Sequence, residues 1–318
     1  DKAIKIDSTF APIYREYGEL ELTAKHFESA VENYKKYLFL TDKSLNSQLR
    51  YAKFLFYGKQ FQESIDIIKQ IVAKDSSDYI NYRLLGYSSY EVKDYKAGLT
   101  AMNKFFSMNP AKILPQDYAY LGKLQVKNKL DSLGVNTITR AIALDTTSRD
   151  LYGDLSDAYF SMKQYKLSAE TYELKLLNTK PTAIDYFNLG RKYYFGLEFA
   201  KSDSSFAKLL ELNAAYKPAY LFRARNNVQL DNVDKINDGL AKPFYEKFIE
   251  LTIADPKLDL KKSGKELIEA YKYLGDYNYT ILKDNAAAIG NFQKVIEIDP
   301  NDKDAKLNIE GLIKESKK

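Results

Sequence analysis

Residues 186–193, Tyr-Phe-Asn-Leu-Gly-Arg-Lys-Tyr, carry the pattern that decides the fold of this chain. Tyr186 is followed by Leu189, Gly190 and Tyr193, at steps of three, four and seven residues. Residues at these steps share one face of an α-helix. A glycine in such a face lets a second helix approach closely, and the larger side chains beside it fill the space around the crossing. The stretch therefore predicts a helix that packs on the next helix in the chain.

The same pattern recurs along the sequence at intervals close to 34 residues, as from Tyr152 to Tyr186. The other residues in the position of Tyr186 are Tyr14, Gln48, Tyr82, Tyr118, Tyr220 and Tyr271. Four residues after each of these eight positions lies a small side chain: Gly18, Ala52, Gly86, Gly122, Ser156, Gly190, Ala224 and Gly275. Eight units in register predict eight helical hairpins.

The second half of seven of the eight units has a matching signal, a small residue followed four positions later by a bulky one. The pairs are Ala30/Tyr34, Ser64/Ile68, Gly98/Met102, Gly134/Ile138, Ser168/Tyr172, Ser202/Phe206 and Ala288/Phe292. We therefore expect the small residues of both helices in a hairpin to lie where the helices cross. A larger residue there is expected to overpack the crossing, at a cost of about 1–3 kcal/mol.

This arrangement resembles the tetratricopeptide repeat (TPR) pattern W-x2-L-G-x2-Y…A-x3-F, with Tyr186 in place of Trp and Ser202 in place of Ala before Phe206. The resemblance covers nearly the whole chain. It implies an all-α fold, a right-handed α-solenoid of about eight TPR hairpins with a C-terminal capping helix. One hairpin cannot bury its apolar face alone, so neighbouring repeats must stack and share a core.

We predict a single solenoid domain over residues 1–318. Its parts are the tail of a preceding repeat (1–10), regular repeats (11–230), an irregular insertion (231–264), the last repeat (265–300) and the capping helix (301–318). The start inside a repeat indicates a fragment or a processed form of a longer chain, and the last two lysines are expected to fray.

Local signals set several helix ends. Thr182 and Asp185 resemble a capping box at the start of the sixth unit, and Ser263 with Glu266 predicts another at the start of the eighth. Pro243 is typical of the first turn of a helix, here within the irregular insertion. We interpret the insertion as longer helices and a longer loop; the alternative is a change of superhelix curvature or a partner-contacting excursion.

The amino-acid composition excludes several classes of function. The chain has 48 Lys and Arg against 43 Asp and Glu, a net charge of +5, which predicts a mixed solvated surface and not the basic field of a nucleic-acid binder. No apolar run is long enough to span a membrane. The absence of cysteine excludes disulfides and thiolate chemistry. The Lys-, Asn-, Ile- and Tyr-rich composition without Trp is typical of a bacterial protein, for which we expect a cell-envelope role.

Catalytic and cofactor signals are missing from the sequence. His26, the only histidine, is predicted to lie in the turn of the first unit. No cysteine or second histidine is present to complete a Cys/His metal site, and the sequence carries no motif of a nucleophilic triad. The glycines form no phosphate-binding loop. A helical glycosidase barrel would need only carboxylates, but the Trp that such sites often use to stack sugars is absent. We predict a protein that is not an enzyme and has no cofactor and no metal.

A second helix face remains for binding. It begins one residue after each aromatic position, and in TPR proteins the corresponding face lines the concave groove. Six of the first seven units place a Lys or Arg on it, with aromatic residues one turn away. The predicted groove residues are Arg15, Lys53, Phe56, Arg83, Tyr87, Tyr90, Lys123, Phe187, Arg191, Tyr194 and Arg225. Basic groups beside aromatic rings suit an extended peptide with carboxylates, whereas a merely hydrated face would be charged as well.

We therefore predict a protein–protein interaction scaffold that binds a segment of a partner. An acidic segment is one candidate for this ligand. The sequence also allows a homo-oligomer. TPR domains that clamp chaperone tails carry Lys followed by Asn four residues later, and this chain has no such pair: Arg15 is followed by Glu19, and Arg83 by Tyr87. The alternatives are an RNA-binding helical-repeat protein, which Glu19 and Asp157 disfavour by interrupting the basic stripe, and a docking arm of a larger enzyme.

Overall fold

The structure, a computed structural model, describes residues 7–41, 43–234 and 239–316. Over these residues it is all-α, with 17 helices and no strand. The helices fall into two compact units, Asp1–Met162 and Lys163–Lys318. None of the described helices is long and apolar enough to cross a membrane.

The described part of the first unit contains nine helices. They are α1 (Ala11–Thr23), α2 (Phe27–Phe39), α3 (Leu45–Tyr57), α4 (Phe61–Lys74), α5 (Tyr79–Glu91), α6 (Tyr95–Ser107), α7 (Pro115–Lys127), α8 (Asp131–Leu144) and α9 (Asp150–Ser161). Each helix packs on the next one in the chain, and α3, α5, α7 and α9 also contact one another in turn.

The second unit, over its described residues, contains the remaining eight helices. They are α10 (Tyr165–Leu176), α11 (Ala183–Phe195), α12 (Phe199–Leu212), α13 (Lys217–Asp234), α14 (Lys242–Ile253), α15 (Leu260–Thr280), α16 (Asn285–Ile298) and α17 (Lys303–Glu315). Here too each helix packs on the next, and α11 contacts α13. Both units are α-solenoid stacks of helical hairpins, as the repeat pattern predicts.

The predicted small residues lie at the helix crossings. A Cβ atom added to Gly190 would come within 2.8 Å of the Phe206 ring, and one added to Gly275 within 2.7 Å of the Phe292 ring. Where serine replaces glycine, its hydroxyl finds a backbone acceptor across the crossing: Ser202 Oγ donates to the carbonyl of Gly190 at 2.9 Å. The small residues therefore let adjacent helices touch through backbone and ring atoms.

The ends of the hairpins follow the expected signals with one exception. Thr182 and Asp185 form the predicted capping box of α11, and Pro243 lies in the first turn of α14. The prediction of a cap at Ser263 was wrong, because α15 begins earlier, at Leu260, where the Asp259 carboxylate accepts the amide of Lys261 at 3.0 Å. Aspartate and serine are both good N-cap residues, so the local sequence did not decide between them.

The irregular segment is helical for most of its length. Helix α13 continues to Asp234, beyond the end expected near residue 230, and Asp231 within it accepts the amide of Leu240 at 3.0 Å. Residues 235–238 of the predicted insertion, residues 1–6 of the predicted preceding repeat and the two C-terminal lysines lie outside the described residues. The final helix α17 buries Ala305 and Leu312.

Candidate functional site

The predicted groove residues lie on the first helices of the hairpins. The first unit holds Arg15 on α1, Lys53 and Phe56 on α3, Arg83, Tyr87 and Tyr90 on α5, and Lys123 on α7. The second unit holds Phe187, Arg191 and Tyr194 on α11, and Arg225 on α13. We call the surface formed by these helices within each unit the first-helix face. In the first unit it is continuous over α3, α5 and α7, since these helices contact one another.

Arg83 and Tyr87 converge on one buried carboxylate. The Arg83 guanidinium donates to both oxygens of Asp117, at 2.8 and 2.9 Å, and the Tyr87 hydroxyl donates to Asp117 Oδ1 at 2.6 Å. The backbone amide of Leu114 adds a fourth hydrogen bond, at 2.6 Å, to Asp117 Oδ2. Asp117 is fully buried and Tyr87 only 6% exposed. These two predicted groove residues therefore tie α5 to α7 with their polar groups.

Burial has the expected electrostatic effect on this cluster. It raises the pKa of the Tyr87 hydroxyl well above its usual value, and the hydrogen bond to Asp117 raises that pKa further. The tyrosine therefore stays a neutral donor to the carboxylate. The Arg83 guanidinium, 4.7 Å from the centre of the Phe105 ring, is also sandwiched against an aromatic face.

Lys123 is paired in the same way one hairpin further on. Its ammonium lies 3.0 Å from Asp154 Oδ2 on α9 and 5.7 Å from the centre of the Tyr90 ring. Burial raises the pKa of the Asp154 carboxyl, and the Lys123 ammonium opposes that shift. The Tyr90 ring also packs edge-to-face on Tyr120. This part of the first-helix face combines a cation with two aromatic rings.

Arg225 in the second unit forms a third internal pair. Its guanidinium donates to both oxygens of Glu269 on α15, at 2.8 and 2.6 Å. The Tyr245 hydroxyl on α14 donates to the same carboxylate at 2.9 Å. The hydrogen bond to Glu269 raises the pKa of Arg225, which stays charged. The arrangement repeats the arginine–carboxylate–tyrosine cluster of Asp117 with different helices.

The remaining second-unit residues form an aromatic patch. Phe187 packs edge-to-face on Phe222 at 6.2 Å between ring centres, and Tyr194 on the same ring at 5.2 Å. The Arg191 guanidinium lies 5.7 Å from the centre of the Phe187 ring. Rings that hold one another in this way are well ordered, so little side-chain entropy is left for them to lose.

Lys53 differs from the other cations. Its half-buried side chain forms no ion pair or hydrogen bond with any residue that the structure describes, and burial lowers its pKa. Phe56, one turn further along α3, lies 6.0 Å from the Tyr87 ring, centre to centre. Arg15 is 42% exposed, and its guanidinium donates to the carboxylate of its neighbour Glu16 at 2.6 Å.

The carboxylates that pair with these cations were missed in the sequence. Asp117 lies 34 residues after Arg83, Asp154 lies 31 residues after Lys123, and Glu269 lies 44 residues after Arg225. Opposite charges about one repeat apart on first helices were the available signal. In the described part of the chain, no group of His, Asp and Glu side chains is arranged to hold a metal ion.

Comparison with solved structures defines the family. The chain is 32% identical to the C-terminal part of a TPR repeat-containing protein from Cytophaga hutchinsonii, with a TM-score of 0.68, and the match covers 82% of this chain and 99% of that one. The two stacks of helical hairpins define an α-solenoid repeat protein. The chain belongs to the TPR family.

Other similarities are weaker and carry no argument about function. YrrB, a TPR protein with an unusual peptide-binding site, is 14% identical, with a TM-score of 0.49 and coverage of 59% of this chain and 96% of that one. PilF from Pseudomonas aeruginosa is 14% identical, with a TM-score of 0.46 and coverage of 76% and 99%. No protein-family model and no curated protein sequence matches the chain. Family membership indicates, in general terms, a protein-interaction scaffold.

Proposed function

We propose that the protein binds a segment of a partner polypeptide along its first-helix face. The observation that carries this proposal is the continuity of that face over α3, α5 and α7, where successive first helices touch and present ordered aromatic rings. An extended peptide laid across several repeats would contact the same positions of each helix in turn. Such a rigid surface loses little entropy on binding, which favours recognition by positioning.

The internal ion pairs favour a polypeptide over a nucleic acid as the ligand. Arg83, Lys123 and Arg225 are already neutralised by Asp117, Asp154 and Glu269. A nucleic-acid reader needs unpaired cations that replace counterions along the phosphates. Aromatic rings and few free charges suit side chains and peptide bonds better, and contact with such rings gives binding energy in protein interfaces.

The natural absence of cysteine allows a direct test. Single-cysteine variants Arg15→Cys and Leu22→Cys place a benzophenone cross-linker on the first-helix face of the first unit. Lys69→Cys and Lys104→Cys place the same label on the exposed sides of the second helices α4 and α6. After irradiation in native lysate, mass spectrometry identifies the cross-linked partner segment.

The proposal predicts that one partner segment is cross-linked from positions 15 and 22, with little from positions 69 and 104. Equal cross-linking from all four positions would contradict binding along the first-helix face. Recovery of nucleic acid in place of a protein segment would favour the RNA-binding alternative, and steep salt dependence would then accompany it.

A further inference from the structure

On successive first helices of the first unit, a side chain of one helix pairs with a complementary side chain of the next. Glu19 on α1 faces Arg50 on α3 at 3.8 Å, and Lys123 on α7 faces Asp154 on α9 at 3.0 Å. Both pairs have the same sequence spacing of 31 residues (50 − 19 and 154 − 123). In both pairs, a charged side chain of one first helix meets the opposite charge on the next first helix.

The third matched pair is aromatic. Tyr87 on α5 stacks on Tyr120 on α7, with ring centres 4.0 Å apart and planes inclined by 18°. The two-residue addition at residues 113–114 accounts for the slightly longer spacing of this pair. Complementary pairs, ionic or aromatic, therefore join α1 to α3, α5 to α7 and α7 to α9.

Lys53 departs from this pattern. It occupies the position on α3 that Lys123 occupies on α7, but the residue 31 positions later is Leu84, which is buried in the core beside Ile68 and Ile71. A leucine side chain offers no acceptor. Among the described residues, the ammonium of Lys53 is therefore the cation on this stretch of the face that has no internal carboxylate partner.

The charged groups around Lys53 are engaged elsewhere. Asp78 caps α5 by accepting the amide of Ile80 at 2.8 Å, and Glu19 pairs with Arg50. Arg83 is held by Asp117. Burying an ammonium that forms no ion pair is costly. Burial lowers the pKa of Lys53, and the carboxylates of Asp78 and Glu19 oppose that shift only in part. Rearrangement of these neighbours would break an existing cap or ion pair.

We propose that the first-helix face recognises an acidic side chain, an Asp or Glu within an extended partner segment, through Lys53. The ligand carboxylate takes the place that Asp154 takes opposite Lys123. An internal side chain is favoured over a terminal carboxylate because Lys53 provides one donor group without convergent neighbours, and the face continues past it to Arg50 on one side and to Tyr87 on the other. This inference rests on the proposed function and specifies its partner chemistry.

A library of random dodecapeptides, displayed through their C termini and so without a free carboxylate, tests the inference. Selection is performed on the wild type, on Lys53→Gln and on Lys69→Gln, which removes the same charge from an exposed position of α4. Circular dichroism checks that all three proteins are equally helical. The conservative variant Lys53→Arg keeps the charge and should keep the selectivity.

The expected result is enrichment of Asp or Glu on the wild type, Lys53→Arg and Lys69→Gln, and loss of that enrichment on Lys53→Gln. For a selected peptide with capped ends, replacing its acidic residue by the amide should weaken binding to the wild type by about ten- to a hundredfold, as expected for one charge-assisted hydrogen bond. The same replacement should have no effect on binding to Lys53→Gln. A free C-terminal carboxylate added to the amide peptide should not restore affinity.

The outcomes separate this inference from the proposed function. Selected peptides carrying a benzophenone should cross-link to α1 or α3. If they do, but show no acidic preference or bind Lys53→Gln equally well, the Lys53 inference is wrong and the proposed function stands. If no peptide is enriched, or if those enriched cross-link only to second helices, both proposals fail. Restoration by the free terminus would assign Lys53 to a terminal carboxylate and overturn the side-chain proposal.

Discussion

Arg83 and Asp117 are 34 residues apart in the sequence, yet their side chains meet through two hydrogen bonds of 2.8 and 2.9 Å. Arg83 is 17% exposed and the carboxylate is fully buried. A pair of this kind contributes little net free energy compared with apolar side chains of the same volume, but removal of one partner leaves an uncompensated charge. The pair therefore fixes how α5 lies on α7, and it is a sensitive point for the stability of the first unit.

We expect Asp117→Ala to lower the free energy of unfolding by about 3–5 kcal/mol, because Arg83 and the Tyr87 hydroxyl both lose their acceptor. Urea denaturation followed by circular dichroism measures the change. Arg15→Ala is the control, since its pair with Glu16 is solvent-exposed and adjacent in the chain, and should cost less than about 1 kcal/mol. A loss for Asp117→Ala as small as that of the control would mean that the buried pair does not hold the hairpins together.

Replacing glycine by alanine is expected to change the free energy of unfolding in opposite directions at two helical positions of the second unit. Gly190→Ala should lower the free energy of unfolding by about 1–3 kcal/mol, because the added Cβ would lie 2.8 Å from the fully buried Phe206 ring. Gly311→Ala on α17 should raise it by about 0.5–1 kcal/mol, since the added Cβ meets no atom within 4 Å and alanine favours the helix. Urea denaturation of both variants measures the two changes.

A second substitution separates overpacking from a general intolerance of change at Gly190. In the Gly190→Ala background, Phe206→Leu should cost less than it does in the wild type, because the smaller side chain makes room for the new methyl group. Strictly additive losses in this double-mutant cycle would contradict direct contact between the two positions as the cause.

The repeat pattern predicted the helices and their crossings because it reports local periodicity. Gly190 and Phe206 were expected at a crossing from their places in the repeat, and the structure puts them there. The start of α15 was misplaced because Asp259 and Ser263 are equivalent signals over a few residues. Packing of the long apolar face, which the cap signals do not contain, decides between them.

The candidate site was less predictable than the fold. The sequence predicted that Arg83 and Lys53 lie on the same face of their first helices, and nothing in the sequence alone distinguishes the two cations. Only the stacking of successive hairpins shows that Arg83 meets Asp117, whereas Lys53 meets no carboxylate among the described residues. Charged residues are common on helix surfaces, so the pairing depends on three-dimensional neighbours and not on composition.

Lysines in left-handed turns between helices give a third prediction. Lys59 and Lys93 have φ angles of 60° and 65°, a conformation that costs a non-glycine residue about 1–2 kcal/mol. The same conformation occurs at Lys25, Lys129, Lys163 and Lys283. Lys93→Gly should therefore raise the free energy of unfolding by about 0.5–1 kcal/mol after the greater chain entropy of glycine is subtracted.

Thermal and urea denaturation of Lys93→Gly measure this gain. The matched control is Lys69→Gly, which places glycine inside α4 at an exposed position and should lower the free energy of unfolding by about 1 kcal/mol. If Lys93→Gly is as destabilising as the control, the turn lysine makes a stabilising interaction that outweighs its backbone strain.

Acid sensitivity is expected to centre on Asp185 at the start of α11. Burial raises the pKa of its carboxyl, but hydrogen bonds from Lys175, from the amide and hydroxyl of Thr182 and from Tyr172 together hold that pKa well below 3.8. The folded state therefore binds fewer protons than the unfolded state in acid. The stabilisation is fully present above pH 3.8 and is lost as the pH falls through the lower pKa of the folded state.

Asp185→Asn should lower the free energy of unfolding by about 1–3 kcal/mol at neutral pH, where charge-assisted hydrogen bonds are lost. The difference from the wild type should shrink as the pH falls below 3.8, because the wild-type carboxylate then becomes protonated. Urea denaturation at a series of pH values measures this convergence. Lys175→Met, which removes the ammonium 2.8 Å from Asp185, should begin to lose stability at a higher pH than the wild type. A difference between Asp185→Asn and the wild type that stays constant from neutral to acid pH would show that the ionised carboxylate is not the source of the stabilisation.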